Sequence, residues 1–368
     1  MNKVLTMRKM SRRDFLKLGA AAGIGAVVLN AARPAMAYLP QFPSSDLLGR
    51  TFHTVEVKSK PNPDSQTVET LYEDSVVEWQ REVIGTAPSL YSTNRKWVET
   101  PNGYIPSISL QPVKSELNTP LAELPASLEG KGMWAEITVP FVDIYLANPP
   151  ARAPLLAELA NPRFYYSQIF WIDDIRTNDQ GEAEYHVTER HGSYGDAFWA
   201  DARAFKPITA EDVAPIRPEV TDKSILVDLN HQTVSCYEGQ TEVRFCRVST
   251  GAKYDMYGNA VDNWSTPVGD YHVINRKYLS IHMAGGSAAA GYELFGVCWT
   301  CIFATPGVAF HSTFWHNNYG EPMSHGCVNM TPEDSKFIYR WSMPEAPYDP
   351  GKVEIQGYSG TAVKVREG

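Results

Sequence analysis

The sequence predicts a mainly β protein: two small barrels, then a larger β-rich domain with a short helix following a cysteine motif. Three observations predict this class. Gly 26, Pro 26, Tyr 19 and Trp 9 among 368 residues favour strands and tight turns over helical bundles. Apolar residues alternate in short runs, as in Ile225, Val227 and Leu229. Turn residues such as Pro61-Asn-Pro63 and Asn230-His231-Gln232 punctuate those runs. A hydrophobic fraction of 43% and a charged fraction of 20% are ordinary globular proportions, which exclude a coiled coil, a collagen-like rod and a mostly disordered chain.

Residues 1–37 read as an address rather than as part of the fold. A basic start leads into Ser11-Arg12-Arg13-Asp14-Phe15-Leu16-Lys17, a Gly/Ala/Val run from Leu18 to Ala32, and Ala35-Met36-Ala37. Those are the charged, apolar and small-residue parts of a cleavable export signal, with the mature chain expected from Tyr38. The paired arginines resemble a twin-arginine signal, which implies export of a folded protein to the cell envelope, periplasm or extracellular wall. An uncleaved anchor and a buried N-terminal helix are the alternatives. Removing seven Lys/Arg and one Asp from 33 basic and 42 acidic residues leaves 26 and 41, a formal charge of −15. A chain this acidic, with no later Lys/Arg run, is a poor partner for nucleic acid.

From Leu47 to Val113 short strands and scattered aromatics read as a first small barrel, with Val55-Glu-Val57, Val76-Val77-Glu78-Trp79, Lys96-Trp97-Val98 and Gly103-Tyr-Ile-Pro106 as its pieces. This pattern resembles the SH3-like barrels of bacterial envelope proteins. Residues 114–130, polar and carrying Pro120 and Pro125, read as a linker. The same order recurs loosely over residues 131–209, from Trp134-Ala-Glu-Ile137 to Lys206-Pro-Ile-Thr209, and reads as a second, diverged SH3-like barrel. Neither barrel carries a catalytic cluster. A third domain spans residues 222–366, with strands expected near Ile225–Leu229, Val234–Tyr237, Val243–Val248, Tyr271–Asn275 and Thr361–Val365.

Five cysteines allow two disulfides and one odd thiol. Cys298 and Cys301 lie in an apolar strand-like run, where they would stand about 10 Å apart and face opposite ways, beyond the reach of a disulfide. They read as core cysteines. Cys236 and Cys246 flank a turn at Glu238-Gly239-Gln240, where a cross-hairpin bridge or two free thiols are both open.

Cys327 stands in the informative stretch, Phe310-His311-Ser312 through Ser324-His325-Gly326-Cys327-Val328-Asn329. A thiol nucleophile needs a base within reach and backbone N–H groups aimed at a developing oxyanion. The Ser-His-Gly-Cys turn can supply the N–H groups, with Gly326 permitting an unusual backbone. Thr331-Pro332-Glu333-Asp334 then reads as an N-cap opening a helix through Trp341, whose N-terminal end favours a thiolate if aimed at it.

The spacing from His311 through Ser324-His325-Gly326-Cys327-Val328-Asn329 resembles the signature of the L,D-transpeptidases, the YkuD domain family. Val248-Ser249-Thr250-Gly251, Ser265-Thr266-Pro267-Val268-Gly269-Asp270-Tyr271 and Gly360-Thr361-Ala-Val resemble further family segments. Ser312 stands where the family often has Gly. The resemblance implies cross-linking of peptidoglycan stem peptides: Cys327 attacks the donor tetrapeptide, D-Ala leaves, and an amine of an acceptor stem resolves the thioester. It implies His311 as general base with Ser312 orienting it. Ser324, His325, Gly326 and Cys327 supply the oxyanion turn, and Asn329 supports the loop. It also implies a carbapenem as covalent inhibitor, and no metal or organic cofactor. Residues 278–296, rich in Gly and Ala at 285–291, read as a substrate-covering loop or an ordinary surface loop. Tyr278, Met283 and Tyr319 are the expected substrate contacts.

Three alternatives compete. His311, His316, His325 and Cys327 have 5-, 9- and 2-residue spacings that match no closed zinc pattern. A carboxypeptidase or cysteine peptidase would trim stems with water as acceptor. A non-catalytic wall-binding protein would use the barrels and keep a degenerate third domain.

Overall fold

The computed structural model describes residues 39–89, 92–254, 259–261, 264–285 and 292–367, so the expected export segment lies outside the described residues. Over residues 47–113, two sheets share one core. Val76–Glu78, Leu48–Thr51 and Leu110–Val113 form the first, in that order. Thr67–Leu71, Val55–Lys58, Gly103–Pro106, Lys96–Thr100 and Arg81–Ile84 form the second. The period-two pattern buries Val55 and Val57 and exposes Glu56 between them, and Trp79, Val98, Ile105 and Leu110 complete the core.

Residues 133–207 form a seven-stranded sheet in the order Arg163–Tyr165, Phe141–Leu146, Ala197–Asp201, Ala183–Thr188, Ile169–Thr177, Met133–Ile137, Phe205–Pro207. The polar segment before it is tied down rather than loose. Glu116 N–H donates to Thr138 O (2.8 Å), Asn118 N–H to Arg203 O (2.9 Å) and Leu121 N–H to the Tyr185 hydroxyl (2.8 Å). A short ribbon pairs Ala126–Ser127 with Gly130–Lys131.

Two five-stranded sheets build the third region. One runs Thr241–Arg247, Thr233–Glu238, Lys223–Asp228, Ala362–Arg366, Gly269–Val273. The other runs Val328–Met330, Val308–Ser312, Tyr292–Ala304, Arg276–Gly285, Lys352–Glu354. Their apolar faces meet in a core that includes Val227, Val234, Leu279, Phe303, Phe310 and Val328. Antiparallel pairs dominate, but Val308–Ser312 and Val328–Met330 are parallel. The chain must therefore cross over between them, and that crossover holds most of the motif.

The helix spans Pro332–Trp341, as its start signal predicts: the Thr331 hydroxyl accepts Asp334 N–H and Pro332 occupies the first turn. Ile338, Tyr339 and Trp341 bury one face in the same core. Its last carbonyls are met by two lysines. Lys277 Nζ donates to Tyr339 O (2.8 Å) and to Ser342 O, and Lys223 Nζ donates to Trp341 O (2.8 Å). Cation against helix C-terminus also suits the peptide dipoles.

Cys298 and Cys301 are buried strand residues with free thiols, as expected. The cross-hairpin bridge is not formed. Cys236 opposes Arg244 while Cys246 opposes Val234, so the cysteines sit diagonally across the ladder, and both thiols are free.

Candidate active site

Strand register sets His311 beside the segment that follows Cys327. His311 pairs with Asn329 across the parallel ladder, and Phe310 pairs with Val328. Phe310 and Val328 point into the core, so His311 and Asn329 face the other way, and Cys327 lies in the bend immediately before that strand. His311 and Ser312 are buried, whereas Cys327 is half-buried. In this arrangement the thiol donates to Gly307 O at 3.8 Å.

His311 Nδ1 lies 2.9 Å from Ser312 O, so Nδ1 carries the proton and Nε2 is left as the basic nitrogen. Ser312 thus orients the imidazole through its main chain. Its hydroxyl lies 2.8 Å from the buried Cys298 Sγ, a pairing that spacing alone could not have shown. Burial lowers the His311 pKa to about 4, against a smaller upward pull from Ser312 O. Burial also pushes the Cys327 thiol up to about 11, so at neutral pH both partners are uncharged.

The Ser324–Cys327 turn is held from three sides. The Ser324 hydroxyl donates to Cys327 O and accepts Gly326 N–H at 3.0 Å. Ala252 N–H donates to Ser324 O (2.9 Å), and Ser249 and Asn329 exchange backbone hydrogen bonds of 3.0 and 2.8 Å. Thr266, fully buried, accepts Gly251 N–H (2.9 Å) and donates to Gly326 O (2.8 Å). Three of the four segments quoted from sequence therefore converge in one hydrogen-bonded frame. Gly326 has φ +122, a conformation L side chains rarely adopt, and a Cβ there would meet no atom closer than 3.8 Å. The glycine is required by its backbone conformation rather than by crowding.

This frame corrects one expectation. Gly326 N–H is engaged by Ser324, so it is not available to an oxyanion. Gly326 O is pinned on Thr266, and the Cys327 N–H of that planar peptide points the opposite way, which makes it the better donor.

His325 packs on Trp264 (ring centroids 3.9 Å) and faces Tyr292 (5.1 Å). Asn329 Nδ2 lies 2.8 Å from Nε2 of His316, a second buried histidine. The expected substrate contacts divide. Tyr278 pairs with Thr300 and packs on His191 (5.4 Å). Tyr319 donates its hydroxyl to Met330 O (3.0 Å) and packs on His316, a structural role. Met283 pairs with Leu294 near the hairpin end at Gly285. The Gly/Ala stretch at 286–291 lies outside the described residues. Among the described residues no group of three His, Cys, Asp or Glu is placed to hold a metal ion.

Residues 222–365 match the YkuD family, described as the L,D-transpeptidase catalytic domain. Over those residues the chain is similar to that family's catalytic domain. Residues 9–28 match the twin-arginine translocation signal sequence, which directs export. No helix among the described residues is long and apolar enough to cross a membrane. Of solved structures, the Enterococcus faecium L,D-transpeptidase C442S mutant is 21% identical, with 40% of this chain and 51% of that one covered and a TM-score of 0.29. The L,D-transpeptidase from Mycobacterium smegmatis is 16% identical over 68% of this chain and 99% of that one, with a TM-score of 0.30. The LD transpeptidase LdtMt1 in complex with imipenem is 14% identical over 68% and 99%, also at 0.30. The chain spans about half the length of the Enterococcus protein. No curated protein matches it.

Proposed function

We propose that the protein is an exported peptidoglycan L,D-transpeptidase with Cys327 as nucleophile and His311 as general base. The parallel pairing that sets His311 beside the strand following Cys327, within the stretch that matches the catalytic-domain family, supports this reading. With both groups neutral at rest, the thiol turns about χ1 from Gly307 O toward His311 Nε2 and gives up its proton as sulfur attacks the donor carbonyl. Cys327 N–H meets the oxyanion. The imidazolium then protonates the departing D-Ala nitrogen, the C–N bond breaks, and a thioester remains. An acceptor-stem amine attacks the thioester, losing a proton to His311, and the expelled thiolate is reprotonated. Residues 47–113 and 131–209 are read as accessory SH3-like barrels beside this enzyme, with residues 114–130 joining them. Carbapenems acylate the same sulfur in this scheme.

The test is mass spectrometry of products from the mature chain and a disaccharide-tetrapeptide, beside Cys327→Ala. A cross-linked dimer with loss of D-Ala, absent from the variant, is expected. A trimmed monomer alone would replace transpeptidation by carboxypeptidation, and turnover by Cys327→Ala would overturn the nucleophile assignment.

A further inference from the structure

Residues 313–323, between Ser312 and Ser324, form a crossover with no helix or strand of its own. Its later half is held within the domain: the Ser249 hydroxyl donates to Asn318 O (2.9 Å), Gly320 N–H to Val248 O (2.8 Å) and Met323 N–H to Thr250 O (3.0 Å). Its Phe314 end is gripped from outside the transpeptidase domain. Arg50, 4% exposed, donates from Nη2 to Phe314 O (2.9 Å), from Nη1 to Asp74 (2.6 Å) and from Nε to Gln111 (2.9 Å). Its guanidinium lies 4.1 Å from the centre of the Tyr165 ring, and Tyr165 stacks on Phe314 (5.8 Å). Arg163 closes the node on the other Asp74 oxygen at 2.8 Å. Two more grips follow along the crossover. Asn317 Nδ2 donates to Ser107 O (3.1 Å), and Glu321 Oε1 accepts Thr93 N–H (2.6 Å) and the Thr93 hydroxyl (2.9 Å).

We propose that Arg50, far upstream in the chain, is a positioning residue for His311, acting through the main chain of Phe314. This rests on the reading of Cys327 and His311 as nucleophile and base. The lever is short. Ser312 O holds His311 Nδ1, and Phe314 O, two residues on, is held by Arg50. Phe314 also meets Trp315 (5.0 Å), whose ring faces His311 (5.7 Å). Releasing Phe314 O lets the 312–314 backbone tilt and moves the imidazole off its line to the thiol, where a displacement of about 1 Å is enough to slow reaction strongly.

The test compares wild type, Arg50→Met, Arg50→Lys and Asn317→Ala as full mature chains, following acylation of Cys327 by imipenem through intact mass. Amplitude counts correctly folded sites, whereas the rate per site reports positioning. Arg50→Met is expected to react about tenfold more slowly at full amplitude, with Arg50→Lys recovering part of the rate through its remaining donor. Its alkylation by iodoacetamide should also lose the His311-dependent step of the wild-type pH profile. A rate within twofold of wild type at full amplitude overturns the proposal. If Arg50→Met folds poorly, Asn317→Ala carries the same comparison, with about threefold slowing expected and an unchanged rate overturning it. A wild-type chain that takes no imipenem contradicts the transpeptidase reading instead, and the iodoacetamide profiles then decide the role of Arg50.

Discussion

Replacing Thr266 with valine removes one hydroxyl and almost no volume from the point where the nucleophile turn is fastened. That hydroxyl accepts Gly251 N–H and donates to Gly326 O, and the residue is 2% exposed, so water cannot stand in for it. Each buried partner left unpaired costs about 1–3 kcal/mol, which for two partners gives roughly 2–6 kcal/mol of local stability. The loss falls on opening of the Gly251–Gly326 contact rather than on the whole chain, because residues 47–113 and 133–207 keep their own cores. Hydrogen exchange read by mass spectrometry reports it directly. Peptides covering 249–253 and 324–329 are expected to exchange at least 30-fold faster, with peptides of residues 47–113 unchanged. Imipenem acylation should slow in parallel, since Cys327 N–H loses its fixed direction. Thr266→Ser, which keeps the hydroxyl, should stay close to wild type in both readouts. Unchanged protection at 324–329 in Thr266→Val would refute the reasoning.

Two further outcomes follow from buried charge. Burial holds the pKa of His311 near 4 and of His316 near 3, below the unfolded value of about 6.5. The unfolded chain therefore binds more protons as pH falls through that window, so stability present above pH 6.5 is lost on acidification. Thermal melts from pH 7 to 4 should show it, with His316→Phe less sensitive than wild type and equal sensitivity counting against a buried neutral His316. Burial also lowers the Lys277 pKa to about 8, below its unfolded value of about 10.4, so its contribution to stability rises with pH between those values. Lys277→Met leaves Tyr339 O and Ser342 O without their donor and should lose about 1–3 kcal/mol at neutral pH. The gap to wild type should widen from pH 8 to 10, and a constant gap would argue that Lys277 titrates normally.

Sequence carried the chemistry of the site further than its mechanics. Period-two alternation revealed the strands around Ile225 and Val234, and Thr331-Pro332 revealed the helix start, because both signals are local. The link between Ser249, Thr266 and Gly326 was legible only as three separate motifs, since a hydroxyl shared across 60 residues leaves no local pattern. The contact of Tyr278 with His191 was not legible either, because register and packing between distant segments set it. Met283, by the same register, stayed near the hairpin end. The roles of Arg50 and Glu321 were invisible, because an interdomain grip depends on how separate sheets dock.

That division has a physical basis in how the site works. A preformed thiolate next to an imidazolium would hold its own geometry through attraction over a few ångströms. Here burial keeps both groups neutral, with the thiol near 11 and the imidazole near 4, so no such attraction aligns them. Alignment must come from the scaffold: the ladder from His311 to Asn329, the Thr266 fastening and the grip on Phe314 O. Proton transfer between neutral partners tolerates little misplacement. The contacts that look merely structural are thus the ones on which reactivity depends most, and loosening any of them should lower rate before it lowers the folded fraction.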